Sequence, residues 1–289
     1  MTTWNNLFPK IHFHPILLLF IMISFLTGTF VELFILFSIV LFHELGHYLM
    51  AVKFNWRIRK IMLWIFGGVM DTEEHGTRPI YEEMLVICAG PFQHLILQFI
   101  IVIVSEAHLF SQSILDLLFY YNTVIFLFNL LPIFPLDGGK LLQLFMSKYI
   151  PYKKSYYFTV FFSMVVCLLL IILQLTVFSF TLSTFFLFIF LFMENRMEWK
   201  RRTYAFIRFL LKRYEKRNKF RKRTSQIQVM ASDSLMDVFS NFYRERNHTI
   251  YIKYPNHTTQ VLHESVCLHH FFSKKSYIQT IGEVADKMK

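Results

Sequence analysis

The feature that most constrains this chain is a run from residue 155 to residue 193 without a single Asp, Glu, Lys or Arg. About 20 apolar residues let a helix cross the hydrocarbon core of a bilayer, so a run of 39 is long enough for two crossings and too long for one. Shorter charge-free runs cover residues 11–31, 84–105 and 117–136, each near the length of one crossing. A further apolar stretch lies between Glu32 and Lys53, interrupted only by Glu44. Six spans are therefore expected, and the fold class is a polytopic α-helical membrane protein. Composition agrees: 55% of the 289 residues are hydrophobic and 17% charged, where soluble domains carry about 25% charged residues. Intrinsic disorder and a water-soluble monomer are excluded.

Lys and Arg orient the spans. Lys53, Arg57, Arg59 and Lys60 follow the second, and Lys140, Lys148, Lys153 and Lys154 follow the fourth. The tail after the sixth is more basic still, whereas the remaining loops carry neither residue. With six spans every basic loop shares the side of both termini, which the positive-inside rule assigns to the cytoplasm. No small-residue cleavage site follows the first apolar stretch, which is expected to be a retained helix rather than a removed signal peptide.

The net charge of +11 is local: residues 196–223 hold 13 Lys or Arg against Glu198 and Glu215, which accounts for the whole excess. Trp199, Tyr204, Phe206, Phe209, Leu210 and Leu211 are interleaved with them. A basic, aromatic segment directly beyond a span suits anionic lipid headgroups; a solvated linker helix is the plainer reading, and a nucleic-acid partner is not expected. Cys88, Cys167 and Cys267 are scattered and odd in number, which makes neither a disulfide framework nor a Cys-based zinc site.

Glu44 needs the first explanation, because a carboxylate at mid-membrane costs at least ~2.5 kcal/mol. It belongs to His43-Glu44-Leu45-Gly46-His47. On a helix, positions four apart lie about 40° apart around the axis, so His43 and His47 can direct two imidazoles at one metal ion. Glu44 falls beside that ion, where it can take a proton from a water molecule, as in zinc hydrolases. Two His ligands leave room for another, and the best remaining intramembrane acid is Asp137, after Asn129-Leu130-Leu131-Pro132-Ile133-Phe134-Pro135-Leu136. Pro132 and Pro135 are expected to break the helix and Gly138 and Gly139 to permit a turn lining a cavity. A helix end with an Asp at the water boundary is the competing reading of that segment.

The pair of motifs, HELGH and, some ninety residues on, N-x-x-P-x-x-x-x-D-G, resembles the site-2 protease family of intramembrane zinc metalloproteases. Ala89-Gly90-Pro91 and Phe66-Gly67-Gly68 resemble further features of that family. The resemblance implies zinc as cofactor, His43, His47 and Asp137 as its ligands, Glu44 as the acid/base, and Asn129 as a polar group near the substrate and its oxyanion. It departs at His94, where relatives commonly carry Asn; a lone His in an apolar span reads as a packed or helix-bonded residue rather than a ligand. Ile61–Met70 is too short to span and carries the Gly67-Gly68 pair: it reads either as a hairpin dipping into the membrane, whose edge pairs with an unwound substrate strand, or as a surface strand or amphipathic loop.

From Thr224 the composition becomes that of a soluble segment. Ser and Asp residues before Leu235-Met236-Asp237-Val238-Phe239 read as a capped helix, and His248–Ile252 as a strand. Helix, strand, hairpin and a polar helix near Ile281 to Met288 follow an order similar to a degenerate cystathionine-β-synthase (CBS) domain. That likeness implies a small cytoplasmic α/β regulatory domain, ATP or another adenosine nucleotide in its cleft, and self-pairing into a homo-oligomer; a tail that only docks a partner is the alternative. The expected organisation is a six-span metalloprotease domain at 1–195, a basic juxtamembrane linker at 196–223 and the CBS-like domain at 224–289. Six spans with such a tail resemble the sporulation branch of the family, whose substrates are membrane-associated pro-sigma factors; membrane-protein regulators are a further partner class to expect. The competing functions are a zinc-binding membrane transporter or sensor, which has no need of Glu44 between its ligands, and a catalytically silent scaffold.

Overall fold

The computed structural model describes residues 11–287 apart from 14, 65–66, 73, 109, 178–179, 216–222, 256 and 275–278. The chain is mostly helical and divides into two compact units, residues 1–75 with 81–141, and residues 76–80 with 142–289.

In the first unit, β1 (Ile11–Phe13) precedes α1 (Pro15–Thr27), α2 (Phe30–Lys53), β2 (Ile58–Trp64), β3 (Gly67–Thr72), α3 (Ile80–Glu106) and α4 (Gln112–Asn129). Gly28, at φ +77°, ends α1, and the next N–H, of Thr29, donates to Ser24 O at 3.0 Å. That is the glycine-dependent helix stop in which a left-handed residue folds the chain back over the last turn. α2 inverts the polarity of a water-soluble helix. Its buried face carries His43, Glu44 and His47, while Phe34, Leu41, Leu45 and Leu49 are exposed. In a bilayer this arrangement hides the polar groups and leaves the apolar ones in contact with lipid.

Among the described residues, α2, α3 and α6 (Tyr152–Thr176) are long and apolar enough to cross a membrane. The helices at the other expected crossings fall outside that length and composition among the described residues. The first apolar stretch begins in β1, and α1 has 13 residues, about 20 Å of helix against a core of about 30 Å. α4 has 18 residues and carries Gln112, Asp116 and Asn122. The run 155–193 does divide between two helices, α6 and α7 (Leu182–Glu215), but α7 continues through Glu194, Arg196 and Glu198.

The stretch Ile61–Met70 is a hairpin: β2 and β3 pair antiparallel with Leu63 opposite Gly68 and Trp64 opposite Gly67. The sequence reading did not anticipate β1, which pairs parallel to β2 with Ile11 opposite Ile61 and Phe13 opposite Leu63. Phe66, part of the Phe-Gly-Gly motif, lies outside the described residues. Beyond α4 the helix breaks at Pro132–Pro135 as expected, and α5 (Asp137–Tyr149) starts at Asp137 itself. Gly138 and Gly139 are not turn formers, however; they lie in the first turn of α5. A Cβ there would meet Leu130 O at 2.2 Å and the Ile133 carbonyl carbon at 2.4 Å, so their role is close packing of α5 on the broken segment.

In the second unit, α6 and α7 pack along one another, and Tyr156 Oη donates to Glu198 at 2.6 Å. The buried hydroxyls of Thr159 and Ser163 bond back to carbonyls one turn earlier, which satisfies them inside an apolar helix. The basic segment from Arg196 to Glu215 is the continuation of α7. After it, β4 (Arg223–Met230), α8 (Leu235–Ser240), β5 (Arg246–Lys253), β6 (Thr259–His263), α9 (Glu264–Ser273) and α10 (Ile281–Asp286) complete the tail. β4 lies parallel to β5, and β6 lies antiparallel on its other side. Alternation buries Ile227 and Val229 beside Ile250 and Ile252, and this sheet face packs with Phe239, Leu268 and the Phe206–Leu210 end of α7. The Ser234 and Thr280 side chains cap α8 and α10 by accepting from Asp237 N and Glu283 N. Arg213 is buried against α9: Nη2 donates to Glu264 Oε2 at 2.5 Å and Nη1 to Tyr243 O at 2.8 Å, while His248 also meets Glu264 Oε2 at 2.8 Å.

Candidate metal centre

The four residues singled out by their motifs meet inside the first unit. One turn of α2 sets His43 and His47 on the same buried face, with their Nε2 atoms 3.0 Å apart. Asp137, the first residue of α5, brings Oδ2 to 3.3 Å from His43 Nε2 and 3.0 Å from His47 Nε2. Glu44 lies next to this pair, with ligand atoms of His43, Glu44 and His47 all within 4.8 Å of one another. None of the four is more than 5% exposed, so each polar group has been stripped of bulk water.

Hydrogen bonding decides what the converging atoms offer. His47 Nδ1 lies 2.8 Å from Val86 O. A carbonyl only accepts, so the neutral imidazole carries its proton on Nδ1 and turns the Nε2 lone pair inward. Asp137 divides its oxygens: Oδ1 takes Lys140 Nζ at 3.2 Å, and the buried Oδ2 faces the Nε2 atoms of His43 and His47. Electron-rich atoms held this close without protons between them repel unless a cation lies among them. Zinc with N and O ligands at about 2.0–2.1 Å in a tetrahedron sets those ligand atoms about 3.3 Å apart. Two imidazoles and one carboxylate at 3.0–3.3 Å fit that ion.

Three glycines make the convergence possible. A Cβ at Gly90 would lie 2.3 Å from His47 Nε2 and 2.7 Å from His43 Cε1, and one at Gly46 would lie 2.5 Å from Ala89 O. α2 and α3 therefore approach to backbone contact at the two imidazoles. A Cβ at Gly68 would lie 2.2 Å from Glu44 Cγ, so β3 is pressed against the carboxylate arm. This requirement explains the second glycine of the Phe-Gly-Gly motif.

Two further residues singled out from the sequence stand outside the ligand set. Asn129 does not join the cluster: its Nδ2 donates to Ile125 O at 3.0 Å in its own helix. His94 is buried, as expected of a packed residue, yet it is bonded across helices rather than to its own. Its Nε2 lies 3.0 Å from His43 Nδ1, its Nδ1 lies 2.7 Å from Asn122 Oδ1, and Asn122 Nδ2 donates to His94 O at 3.0 Å and Gln98 Oε1 at 2.7 Å. Asn122 and Gln98 were not singled out from the sequence. Polar amides inside otherwise apolar spans were the available signal.

A family model described as Peptidase family M50 matches residues 31–111 and 105–173. Stage IV sporulation protein FB of Bacillus subtilis is 40% identical over 284 residues, 98% of this chain and 99% of that protein. A zinc metalloprotease of Methanocaldococcus jannaschii is 36% identical over 124 residues, covering 42% of this chain and 36% of its own. The solved site-2 protease from Methanocaldococcus jannaschii aligns with a TM-score of 0.52 and 28% identity, over 65% of this chain and 90% of that one. A near full-length relative, a matching family model and a shared fold all point one way, and the transporter and scaffold readings fall away. The chain belongs to peptidase family M50, the site-2 proteases, and is an integral membrane zinc metalloendopeptidase.

Proposed function

We propose that this enzyme cuts a membrane-associated pro-protein, a pro-sigma factor in sporulation, near the cytoplasmic face, with His43, His47 and Asp137 holding zinc and Glu44 moving the proton. The observation that carries the residue roles is the buried convergence of two Nε2 atoms and one carboxylate oxygen within 3.3 Å. Support for the substrate class comes from the near full-length similarity to a sporulation protein.

Bound there, zinc supplies Lewis acidity, polarising the peptide carbonyl and bringing the pKa of water toward about 7. Glu44, held against Gly68, accepts the proton of the attacking water and passes it to the leaving nitrogen. Lys140 neutralises the outer oxygen of Asp137 and keeps the inner one aimed at the ligand cluster. Asn129 serves the oxyanion once its amide exchanges Ile125 O for the substrate. A helical substrate hides its peptide bonds in its own hydrogen bonds, so an unwound segment must be presented, and strand pairing with the β2–β3 hairpin is the means.

The wider organisation in this reading is six spans at 1–195 with both termini cytoplasmic, a basic segment at 196–223 and a CBS-like domain at 224–289. That domain binds ATP or a related adenosine nucleotide and pairs with a second copy to form a homo-oligomer; the β4–α8–β5 unit with its capped helices is compatible with it. The basic segment engages anionic lipid, and Arg202 stacked 4.4 Å over Trp199 is an amphipathic pair suited to the headgroup layer. Membrane-protein regulators act on the assembled enzyme.

The test is cleavage of a co-expressed pro-sigma substrate by the wild type and by Glu44→Gln, with zinc counted in both. Lost product with zinc retained is expected. Equal product from both forms would refute the role of Glu44.

A further inference from the structure

We infer that His94 is a positioning residue for the metal centre: it receives the Nδ1 proton of His43 and so holds the Nε2 lone pair of that imidazole on the zinc, in a proton order set by Asn122. The inference rests on the reading of His43 as a zinc ligand.

The order of protons along this chain follows from one fixed point. Asn122 Nδ2 lies 3.0 Å from His94 O, a backbone carbonyl that can only accept. The amide nitrogen of Asn122 therefore faces that carbonyl, and it also meets Gln98 Oε1 at 2.7 Å. Its other atom, Oδ1, is then the one 2.7 Å from His94 Nδ1, which must be the protonated nitrogen. A neutral His94 is left with a lone pair on Nε2, 3.0 Å from His43 Nδ1. Only a proton on His43 Nδ1 makes that contact a hydrogen bond, and the lone pair of His43 is then on Nε2, facing His47 Nε2 and Asp137 Oδ2. Every donor and acceptor in the path is used in one direction.

The two ligand histidines are thus supported from the same helix in different ways. His47 gives its Nδ1 proton to the backbone of Val86, while His43 gives its own to the side chain of His94. Val86, Gly90 and His94 recur every four residues along α3, so one broad face supplies an acceptor, a close approach and a second acceptor. The two supports differ in one respect: a side-chain substitution cannot remove the Val86 carbonyl, but it can remove the His94 ring. Partners of this kind fix the tautomer and orientation of a ligand, and their loss typically lowers metal affinity 10–100-fold.

The experiment measures zinc affinity of the full-length protein in lipid nanodiscs by competition with a chromogenic chelator, alongside thermal unfolding of the zinc-free protein. His94→Leu removes the acceptor and is expected to weaken zinc 10–100-fold, about the range for lost ligand partners, without lowering the zinc-free midpoint. His94→Gln offers an acceptor oxygen at the reach of Nε2 and is expected to bind zinc within about threefold of wild type, below that range. Asn122→Leu leaves the ring but frees its tautomer, and about tenfold weaker zinc is expected. Wild-type affinity in His94→Leu would overturn the inference, as would His94→Gln being as weak as His94→Leu, since bulk rather than an acceptor would then be at stake. Wild-type affinity in Asn122→Leu would overturn the proton order. His43→Ala separates the underlying reading: zinc retained in that variant would refute His43 as a ligand, whereas zinc lost there and kept in His94→Leu refutes only the role of His94.

Discussion

Replacing Gly90 by alanine adds one methyl group and should disable the enzyme without unfolding it. The new Cβ would be built 2.3 Å from His47 Nε2, 2.4 Å from His47 Cε1 and 2.7 Å from His43 Cε1. Non-bonded heavy atoms settle at about 3.5 Å, so the imidazoles or α3 must give way by about 1 Å. The site has no such slack: its three converging atoms lie 3.0–3.3 Å apart, and a functional constellation tolerates about 0.5 Å. A displacement of about 1 Å costs on the order of 10²-fold in rate. Helix propensity works in the opposite direction, since alanine is favoured over glycine by about 0.8–1 kcal/mol in a helix interior. The assay is cleavage of the membrane substrate by equal amounts of inserted Gly90→Ala and wild-type enzyme, with zinc content and thermal midpoint measured on both. The expected variant inserts, melts near the wild-type midpoint, holds zinc weakly and cleaves about a hundredfold more slowly. Wild-type cleavage with a full complement of zinc would refute the close-approach argument.

Other perturbations separate the parts of the molecule. Gly68→Ala puts a Cβ 2.2 Å from Glu44 Cγ, so turnover should fall while zinc content measured by metal analysis stays at wild type. Chelation of zinc should abolish cleavage, and added zinc should restore it. Arg213→Ala takes the guanidinium from the buried Glu264 carboxylate and leaves it the His248 contacts, and should destabilise the tail by about 3 kcal/mol, read as increased protease sensitivity of the tail in the intact protein. Cys267 is buried and its thiol is pushed up to about 12 by loss of solvation. The thiolate is the reactive form, so alkylation of Cys267 at pH 7–8 should be negligible until denaturant opens the tail, and should rise with pH toward that value.

Much of this molecule is legible along the chain because the physics involved is local. A charge-free run of membrane length, a His-x-x-x-His spacing on a helix and a pair of prolines act on their own neighbourhoods. α2, α3, α6 and the break before Asp137 follow from them, whereas the Ile61–Met70 stretch stays open between a hairpin and a surface strand until the β2–β3 pairing decides it. Elements with mixed signals were not legible. β4 alternates properly at Ile227 and Val229, but it follows directly on a basic tract that masks its start. β1 lies in an apolar stretch that reads as part of a span, because a three-residue strand exists only through the pairing of Ile11–Phe13 with β2.

The site divides in the same way. By itself the sequence determines which residues can bind a metal and move a proton, since His43, Glu44, His47 and Asp137 carry the necessary chemistry and α2 aligns three of them. Only the tertiary structure decides what surrounds them. It decides that Gly90, Gly68 and Gly138 are demanded by close contact rather than by turns, and that His94 bonds to His43 across 51 residues of chain and to Asn122 across 28. Ligand identity is a property of side chains, whereas the direction of a lone pair and the room for a methyl group are properties of distances between helices that no local pattern encodes.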